Sequence, residues 1–529
     1  MVGDSALKKV ICVIISIVLI IGLCGCRQNV TEFSSNEPVV ESTQSQGYVE
    51  MSLLYSYTDS FNPYTAKTAA NRRLSTLLYD SLVKTDNNFE PIYNLASDIV
   101  IQDNKCTVYL RDARFTDGST VTADDVVYSY KIAKESSAYA HNFYEVVSIA
   151  AVDSKTVVFT LSQSDPFFAN LLTFPIIKSG SSGVLDSDGK EIAPVGSGRY
   201  KIAQDGTGFV RNDDHYAEKG IIKNIKLINS PDAISTTHYV EVGAVGMYYN
   251  DTNNIVRMSA KKAEVNLNRL VYIGVNDSYG SLATREMRYA ISSALNRDDI
   301  CQTAYYNNAI SATGFFNPYF KATKALQTIE STPNSKITVE NLSKIGYNKM
   351  NSNGFYANSS GNNPVFTLLV NSENGSRVAA ANLIAAQCKT AGIQINVITC
   401  SYEQYLERLS NGSFQLYLGE VQLLDNMDMT QLVVSGGTAA FGVSDKSATQ
   451  SAEQQAEQNA PQVSPCKTIL DSYHASQCGI ADVAGTLLTE MPQIPVCFLE
   501  GVLFYDSAVK GGVKASNSDI YLNFENYEF

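Results

Sequence analysis

One segment restricts the fold class more than any other part of the chain. Residues 366–370 form a short apolar run, residues 377–390 are Ala-rich with helical spacing, and apolar residues alternate again over 393–397. Gly392 stands where a helix commonly ends in a left-handed residue. A strand, a helix and a second strand in this order predict a parallel pair joined by a right-handed crossover. We therefore expect an α/β fold.

The composition indicates a folded chain with several domains and an acidic surface. The 529 residues are 44% hydrophobic and 18% charged, and the formal net charge is −13. This length exceeds that of a typical single domain, and the apolar content is sufficient for buried cores. The acidic balance argues against a nucleic-acid partner, because no excess of Lys and Arg is available to neutralise phosphates.

The N-terminus has the pattern of an export signal. Lys8 and Lys9 precede an apolar run over residues 10–23. This run is shorter than the ~20 residues that a membrane-spanning helix needs, and its length suits a secretory signal. An uncleaved anchor helix is the alternative interpretation. In both cases the bulk of the chain lies outside the membrane.

The apolar run ends in a Leu-Cys-Gly-Cys motif whose last residue is Cys26. This motif resembles a bacterial lipobox, which implies cleavage before Cys26 and a diacylglycerol on its thiol. On this interpretation residues 1–25 are a lipoprotein signal peptide. Residues 26–47 are poor in large apolar side chains, and we expect them to form a flexible tether.

Seven cysteines follow Cys26, an odd number that intramolecular disulfides cannot use completely. We expect most of them to be small buried residues. Bridges between Cys388 and Cys400, or between Cys466 and Cys478, are left open by the spacing.

The most specific motif lies within residues 109–129. Its Leu-Arg, Phe-x-Asp-Gly and Thr-Ala-x-Asp-Val parts begin at Leu110, Phe115 and Thr122. This series resembles the signature of family 5 of the bacterial extracellular solute-binding proteins, which are peptide- and nickel-binding receptors of ABC importers. We expect the motif to be structural, because Asp-Gly suits a tight turn and Thr122 suits a helix cap.

Further matches to this family follow in its order along residues 50–510. They stand at residues 60–63, 78–83, 91–96, 194–200, 270–276, 287–297 and 492–495. Each match is weak by itself, whereas the ordered set is specific. The chain departs from the family pattern in having no Trp, a short stretch between Tyr200 and Leu270, and a Ser/Gln/Ala-rich insertion over 444–465.

The resemblance implies a two-lobe α/β fold of the periplasmic-binding-protein type, similar to class II, with an extra subdomain and a hinge between the lobes. Lobe one is expected over 48–271 and 492–529, with the subdomain over 81–193. Lobe two is expected over 272–491. The implied function is that of a monomeric, lipid-anchored receptor on the extracytoplasmic face of the cell membrane. It would bind a short peptide between the lobes and deliver it to the permease of an ABC transporter, without a cofactor.

The resemblance also implies candidate ligand-binding residues. Peptide-binding relatives hold the α-amino group of the ligand by a carboxylate, and the position after Phe414 makes Asp425 the best match to it. Asp428 and Glu420 are the alternatives. An ordinary loop acid is the competing interpretation of Asp425.

Two further groups complete the predicted site. Residues from Gly419 to Gln422 would offer backbone groups to the peptide. Tyr55, Tyr57 and Phe61, near the first strand, would line the cleft. Core packing is an equally good explanation for these aromatic residues.

Several alternatives to a peptide receptor stay open at this stage. The same fold can bind a nickel chelate, haem or an oligosaccharide, and a peptide-sensing lipoprotein has the same sequence features. A secreted hydrolase is the competing class, but the chain has no Gly-x-Ser-x-Gly elbow, no His-Glu-x-x-His and no complete nucleotide-binding loop. We therefore predict a binding protein and not an enzyme.

Overall fold

The computed structural model describes residues 49–250, 260–326, 328–444 and 463–529. The described residues belong to one compact unit, Tyr48–Phe529. The predicted signal peptide, the tether and Cys26 all lie outside the described residues, as does most of the predicted insertion over 444–465. In the described ranges, no helix has both the length and the apolar character required to cross a membrane.

The described part contains helices of four to sixteen residues, numbered here in chain order. They are α1 (Ala69–Leu78), α2 (Ala123–Ala133), α3 (Ala233–Glu241), α4 (Arg285–Ser293), α5 (Arg297–Thr303), α6 (Ser335–Lys344), α7 (Gly375–Thr390), α8 (Tyr402–Ser410), α9 (Thr430–Val433), α10 (Pro465–His474) and α11 (Ile480–Glu490).

The strands are numbered in the same way. They are β1 (Val49–Tyr55), β2 (Val83–Thr85), β3 (Pro91–Tyr93), β4 (Ala96–Gln102), β5 (Lys105–Leu110), β6 (Val146–Asp153), β7 (Thr156–Leu161), β8 (Tyr200–Ile202), β9 (Gly208–Arg211), β10 (Ile222–Asn229), β11 (Met247–Asn250), β12 (Lys261–Val275), β13 (Ala309–Ser311), β14 (Lys349–Met350), β15 (Tyr356–Ala357), β16 (Val365–Asn371), β17 (Gln394–Cys400), β18 (Leu416–Gln422) and β19 (Ile494–Tyr505).

The strand–helix–strand segment has the predicted arrangement. β16 and β17 pair in parallel, and α7 connects them. Asn374 is the N-cap of α7, because its side chain accepts a hydrogen bond from the backbone N–H of Arg377. Gly392 follows the helix with φ +81°, the left-handed conformation that ends helices. The α/β prediction is therefore confirmed.

The longest sheet is built around two long antiparallel strands. The strand order is β11-β19-β12-β18-β16-β17, and β13 also pairs with β19. β12 and β19 have 15 and 12 residues, and most of their side chains are buried. This sheet therefore brings the end of the chain beside its middle.

Two four-stranded sheets complete the framework. In one, β1 pairs in parallel with β10, and β9 and β8 follow in antiparallel order. The other is the antiparallel sheet β4-β5-β7-β6, within the residues predicted to form the extra subdomain. The buried residues of β7 alternate along the strand, as half-buried strands require. The lobe and subdomain boundaries stay predictions.

Candidate functional site

A cavity of about 280 Å³ lies where several distant segments meet. Its walls come from α1 and from residues 138–142, 170–175, 422–425 and 517–519. Polar and charged side chains face it from most of these segments. No local sequence motif joins them, so this cavity is a product of the tertiary structure.

Asp425, the predicted ammonium-binding carboxylate, lines this cavity. Its Oδ2 accepts a hydrogen bond from Thr85 Oγ1 at 3.3 Å. Its backbone carbonyl accepts from Asn170 Nδ2 at 3.0 Å. Burial raises the pKa of Asp425 to about 6. No basic side chain forms an ion pair with Asp425 in the described ranges.

A second acid in the cavity wall, Asp519, is neutralised within the protein. Lys84 Nζ lies 3.0 Å and Arg199 Nη2 lies 2.9 Å from its Oδ2. Thr76 Oγ1 donates to Oδ1 at 2.8 Å. Burial acts to raise the pKa of Asp519, but Lys84 and Arg199 hold it below its usual value. Asp519 is therefore a structural anion, and sequence reasoning had not identified it.

Two arginines on α1 bring positive charge to the same cavity. Arg72 Nη1 donates to the carbonyl of Lys67 at 2.6 Å, and Arg73 Nη1 donates to the carbonyl of Asn517 at 3.0 Å. The Arg73 guanidinium also lies 4.3 Å from the centre of the Tyr249 ring. Neither arginine forms an ion pair with a carboxylate in the part of the chain that the structure describes. The cavity therefore offers cationic groups as well as the Asp425 carboxyl.

Of the other predicted site residues, Gln422 also lines the cavity. It ends β18, and its Nε2 donates to the backbone carbonyl of Leu267 at 2.6 Å. Gly419 pairs with Tyr272 inside the sheet. A Cβ at Gly419 would stand 2.7 Å from the Tyr272 ring, so this glycine is required for close packing.

Glu420 lies outside the cavity lining, in an ion-pair cluster. Its Oε2 is 2.8 Å from Arg377 Nη2, and its Oε1 is 3.8 Å from Arg269 Nε. Both charges of the closer pair are largely buried. Because Glu420 already has two cationic partners, Asp425 is the better candidate for a ligand ammonium.

The three predicted aromatic residues lie together near β1, outside the cavity lining. Tyr55 stacks on Phe61 with ring centres 6.0 Å apart, and Phe61 meets the edge of Phe209 at 5.3 Å. Tyr57 is exposed, and Lys190 Nζ lies 5.2 Å from the centre of its ring. Their role in ligand binding stays a prediction.

A second group of acids contains Asp428, an alternative to Asp425 in the sequence prediction, together with Asp165 and Glu145, which the sequence did not identify. Asn426 Nδ2 donates to Asp165 Oδ2 at 2.8 Å, and the Tyr144 hydroxyl donates to Asp428. Burial, with smaller contributions from the charges of Asp428 and Glu145, raises the pKa of Asp165 to about 6. Within the described ranges, no group of three or more His, Cys, Asp or Glu could hold a metal ion.

The raised pKa of Asp165 predicts that stability falls as pH rises. The folded protein holds this proton more tightly than the unfolded chain, in which Asp has a pKa of about 3.9. The contribution of Asp165 to the free energy of unfolding should therefore decrease between about pH 4 and pH 7. Asp165→Asn, which mimics the protonated acid, is expected to stabilise the protein by about 1–3 kcal/mol at pH 7.5 and by much less at pH 4.

Urea unfolding at the two pH values measures this effect. Asp188→Asn is the matched control, because Asp188 is exposed. An equal gain from Asp165→Asn at both pH values would show that its effect is not linked to this proton.

Comparison with known proteins identifies a family. The model described as "Bacterial extracellular solute-binding proteins, family 5 Middle" matches residues 90–440, more than half of the chain. The oligopeptide-binding protein AppA of Bacillus subtilis is 24% identical over 379 residues, which are 66% of this chain and 68% of AppA.

Solved structures show the same fold. The unliganded open form of the periplasmic murein tripeptide binding protein MppA aligns with a TM-score of 0.68 and 16% identity, over 87% of this chain and 94% of that chain. NikA from Brucella suis in complex with Fe(III)-EDTA aligns with a TM-score of 0.65 and 16% identity, over 90% and 99%.

These likenesses confirm the predicted two-lobe α/β fold, and the family match confirms the resemblance inferred from the ordered motifs. The chain belongs to family 5 of the bacterial extracellular solute-binding proteins.

Proposed function

We propose that this protein is a lipid-anchored, extracytoplasmic receptor that binds a short peptide between its two lobes and delivers it to the permease of an ABC importer. Family membership supports the receptor class. The observation that carries the ligand assignment is the carboxyl group of Asp425, which lines a cavity without a basic partner in the described residues.

An ammonium group is the natural partner for this carboxyl group. A buried charge is costly unless an opposite charge or hydrogen bonds compensate it. Asp425 avoids part of that cost in the free protein by a raised pKa. A peptide α-amino group would supply the missing positive charge, and it would lower the pKa of Asp425 again.

The cavity also has groups that suit the C-terminal carboxylate of a short peptide. Arg72 and Arg73 can bind a carboxylate, because guanidinium groups pair well with carboxylates. The volume of about 280 Å³ is near the lower end of the ~300–1,000 Å³ typical of ligand pockets. We therefore favour a peptide of two or three residues, with charges of both signs.

The position of the cavity fits a receptor that closes around its ligand. Residues 422–425 belong to predicted lobe two, whereas residues 170–175 and 517–519 belong to predicted lobe one. A ligand that contacts both lobes stabilises the closed form. Shifting such an equilibrium from 1:99 to 99:1 needs about 5.5 kcal/mol of preference for the closed form.

If Cys26 attaches the receptor to the membrane, the predicted tether connects this anchor to the folded part of the chain. Two acyl chains provide a stable anchor, at about 0.8 kcal/mol per buried CH₂ group. Residues 27–47 would then let the folded part reach the permease while keeping its local concentration high.

Asp425→Ala is the direct test of the ammonium role. We expect the variant to bind free-amine peptides roughly 10–100-fold more weakly, the size of effect expected for a lost charge-assisted hydrogen bond, and N-acetylated peptides unchanged. Isothermal titration of matched peptide pairs measures both affinities. Asp188→Ala is the control for a lost acid outside the cavity.

The peptide affinity measured by this titration should also depend on pH. Affinity of the wild type for free-amine peptides should rise between about pH 5 and pH 7, as Asp425 ionises. This rise should be absent in Asp425→Ala. Equal losses for free and acetylated peptides would remove Asp425 from this role, and the same selective loss in Asp428→Asn would move the role to Asp428.

A metal chelate is the second candidate ligand, because the fold aligns nearly as well with NikA in complex with Fe(III)-EDTA as with MppA. Native mass spectrometry of the purified full chain distinguishes a bound peptide from a bound metal chelate. Extra masses that match short peptides support the proposed function, and a single mass containing a metal would replace it.

A further inference from the structure

The charged side chains that line the cavity are not balanced in sign. They are Arg72, Arg73, Lys84, Asp425 and Asp519, since burial lowers the pKa of His141 and leaves it uncharged at neutral pH. Lys84 and Asp519 form an ion pair at 3.0 Å. Asp425 is the remaining acid of this lining, and the proposed function assigns it to the α-amino group of a peptide. Two arginines are therefore left without a carboxylate partner among the residues that the structure describes.

The two arginines are held by different segments of the chain. Arg72 Nη1 donates to the carbonyl of Lys67, just before α1, whereas Arg73 Nη1 donates to the carbonyl of Asn517, near the C-terminus. Consecutive side chains of a helix also project about 100° apart. A guanidinium has five N–H donors, and Nε and Nη2 of both arginines donate no hydrogen bond to a described residue. Each arginine can therefore take a carboxylate of its own.

The acids that flank α1 in the sequence are committed to other groups. The Asp59 carboxylate accepts hydrogen bonds from the backbone N–H groups of Lys67 and Thr68 and from the Thr68 hydroxyl. Asp80 Oδ2 lies 3.0 Å from His215 Nε2, and both side chains are buried. Unpaired positive charge is thus concentrated at this cavity, although the chain as a whole has a net charge of −13. Such a local excess attracts anionic ligands.

We propose that the ligand is an acidic peptide, in which the C-terminal carboxylate and one Asp or Glu side chain pair with Arg72 and Arg73. The inference rests on the proposed function, because it places the α-amino group of the same peptide at Asp425. A peptide without an acidic side chain has one carboxylate and leaves one guanidinium unpaired when the cavity closes. Removing an unpaired charge from water is costly, whereas a second carboxylate would form charge-assisted hydrogen bonds.

Isothermal titration of the wild type with matched tripeptides tests the ligand class directly. The probes are tri-alanine and its derivatives in which one residue, at each position in turn, is Glu or Gln. Glu and Gln have nearly the same shape, so each pair differs mainly in one negative charge. We expect the Glu member to bind roughly 3–10-fold more tightly at one position or more, a moderate effect because Arg72 is exposed and Arg73 half-buried. Added salt should reduce this preference.

Arg72→Gln and Arg73→Gln assign the preference to the two arginines. Loss of the arginine that pairs with the side chain should abolish the preference for Glu and leave the Gln peptide unchanged. Loss of the other arginine should weaken both members of the pair equally. Arg114→Gln is the matched control, because Arg114 is exposed and lies outside the cavity lining, and it should keep all affinities.

Two results would overturn the proposal. One is equal affinity of the Glu and Gln peptides at every position in the wild type, a comparison that needs no variant to fold. The other is a preference for Glu that persists in both Arg72→Gln and Arg73→Gln. If tri-alanine binds in either case, the proposed function stands without this inference. If none of the peptides binds, the proposed function fails and the inference fails with it.

Discussion

Arg297→Met is expected to lower the free energy of unfolding by about 3–5 kcal/mol, because it leaves several buried carbonyl groups without a donor. The Arg297 guanidinium is fully buried and donates to the carbonyls of Pro495, Ser292 and Glu330, and to the Ser292 hydroxyl. It thereby connects the end of α4, the start of β19 and the loop near residue 330. Burial lowers the pKa of Arg297 to about 10, so the arginine keeps its charge at neutral pH.

Met preserves most of the apolar volume of Arg297 but none of its donors. Apolar replacement of a buried ion pair can be neutral, because both charges are removed together. Here the partners are backbone carbonyls, which no substitution at position 297 can remove. Urea unfolding measures the loss, and Arg114→Met, at an exposed arginine bound to the carbonyl of Gly118, should change stability by less than about 0.5 kcal/mol. A loss below about 1 kcal/mol for Arg297→Met would show that the carbonyls find other donors.

Gly198→Ala is expected to destabilise the protein by about 2–4 kcal/mol through a clash between main chains. A Cβ at this position would stand 2.3 Å from the carbonyl carbon of Leu78 and 2.4 Å from the carbonyl oxygen of Leu77. The Gly198 N–H also donates to the Leu78 carbonyl at 3.0 Å. The two segments therefore cannot separate without breaking this bond.

Gly485→Ala is the matched control for this substitution. Gly485 lies inside α11 on the exposed side, and an added Cβ would have no atom within 4 Å beyond its chain neighbours and the backbone of its own helix. Alanine in a helix interior is more favourable than glycine by about 0.5–1 kcal/mol, so this variant should be slightly more stable. Thermal unfolding of both variants compares the effects, and equal melting temperatures would mean that the chain at Gly198 relaxes freely.

Local patterns predicted the elements that local physics controls. The apolar run, the Ala-rich helix and Gly392 place β16, α7 and β17 correctly, because hydrophobic periodicity and helix caps depend on neighbouring residues. Asn374, just before the helix, suits a turn as well as a helix N-cap, and in the structure it caps α7. A turn and an N-cap have the same side-chain signature, so the sequence does not separate them.

The candidate site was only partly predictable. Asp425 and Gln422 were selected from one short stretch, and both line the cavity. Gly419 and Glu420 come from the same stretch, but sheet pairing and a nearby arginine give them other surroundings. Position in a strand does not determine which side chains share a cavity, because the segments packed against each residue also differ. Glu420 and Gln422 lie two residues apart on the same face of β18, but Glu420 contacts Arg377, whereas Gln422 lines the cavity.

The sequence by itself determined the α/β class, the segment β16, α7 and β17, and the family, since these depend on periodicity and on motifs whose order can be read along the chain. Only the tertiary structure decided the charge states and partners of the acids. Thr85 reaches Asp425, and Lys84 reaches Asp519, from several hundred residues away in the chain. Desolvation and ion pairing depend on every atom within a few ångströms, whichever segment supplies it. Folding therefore decides whether a carboxyl group keeps its charge, holds a proton or binds a ligand.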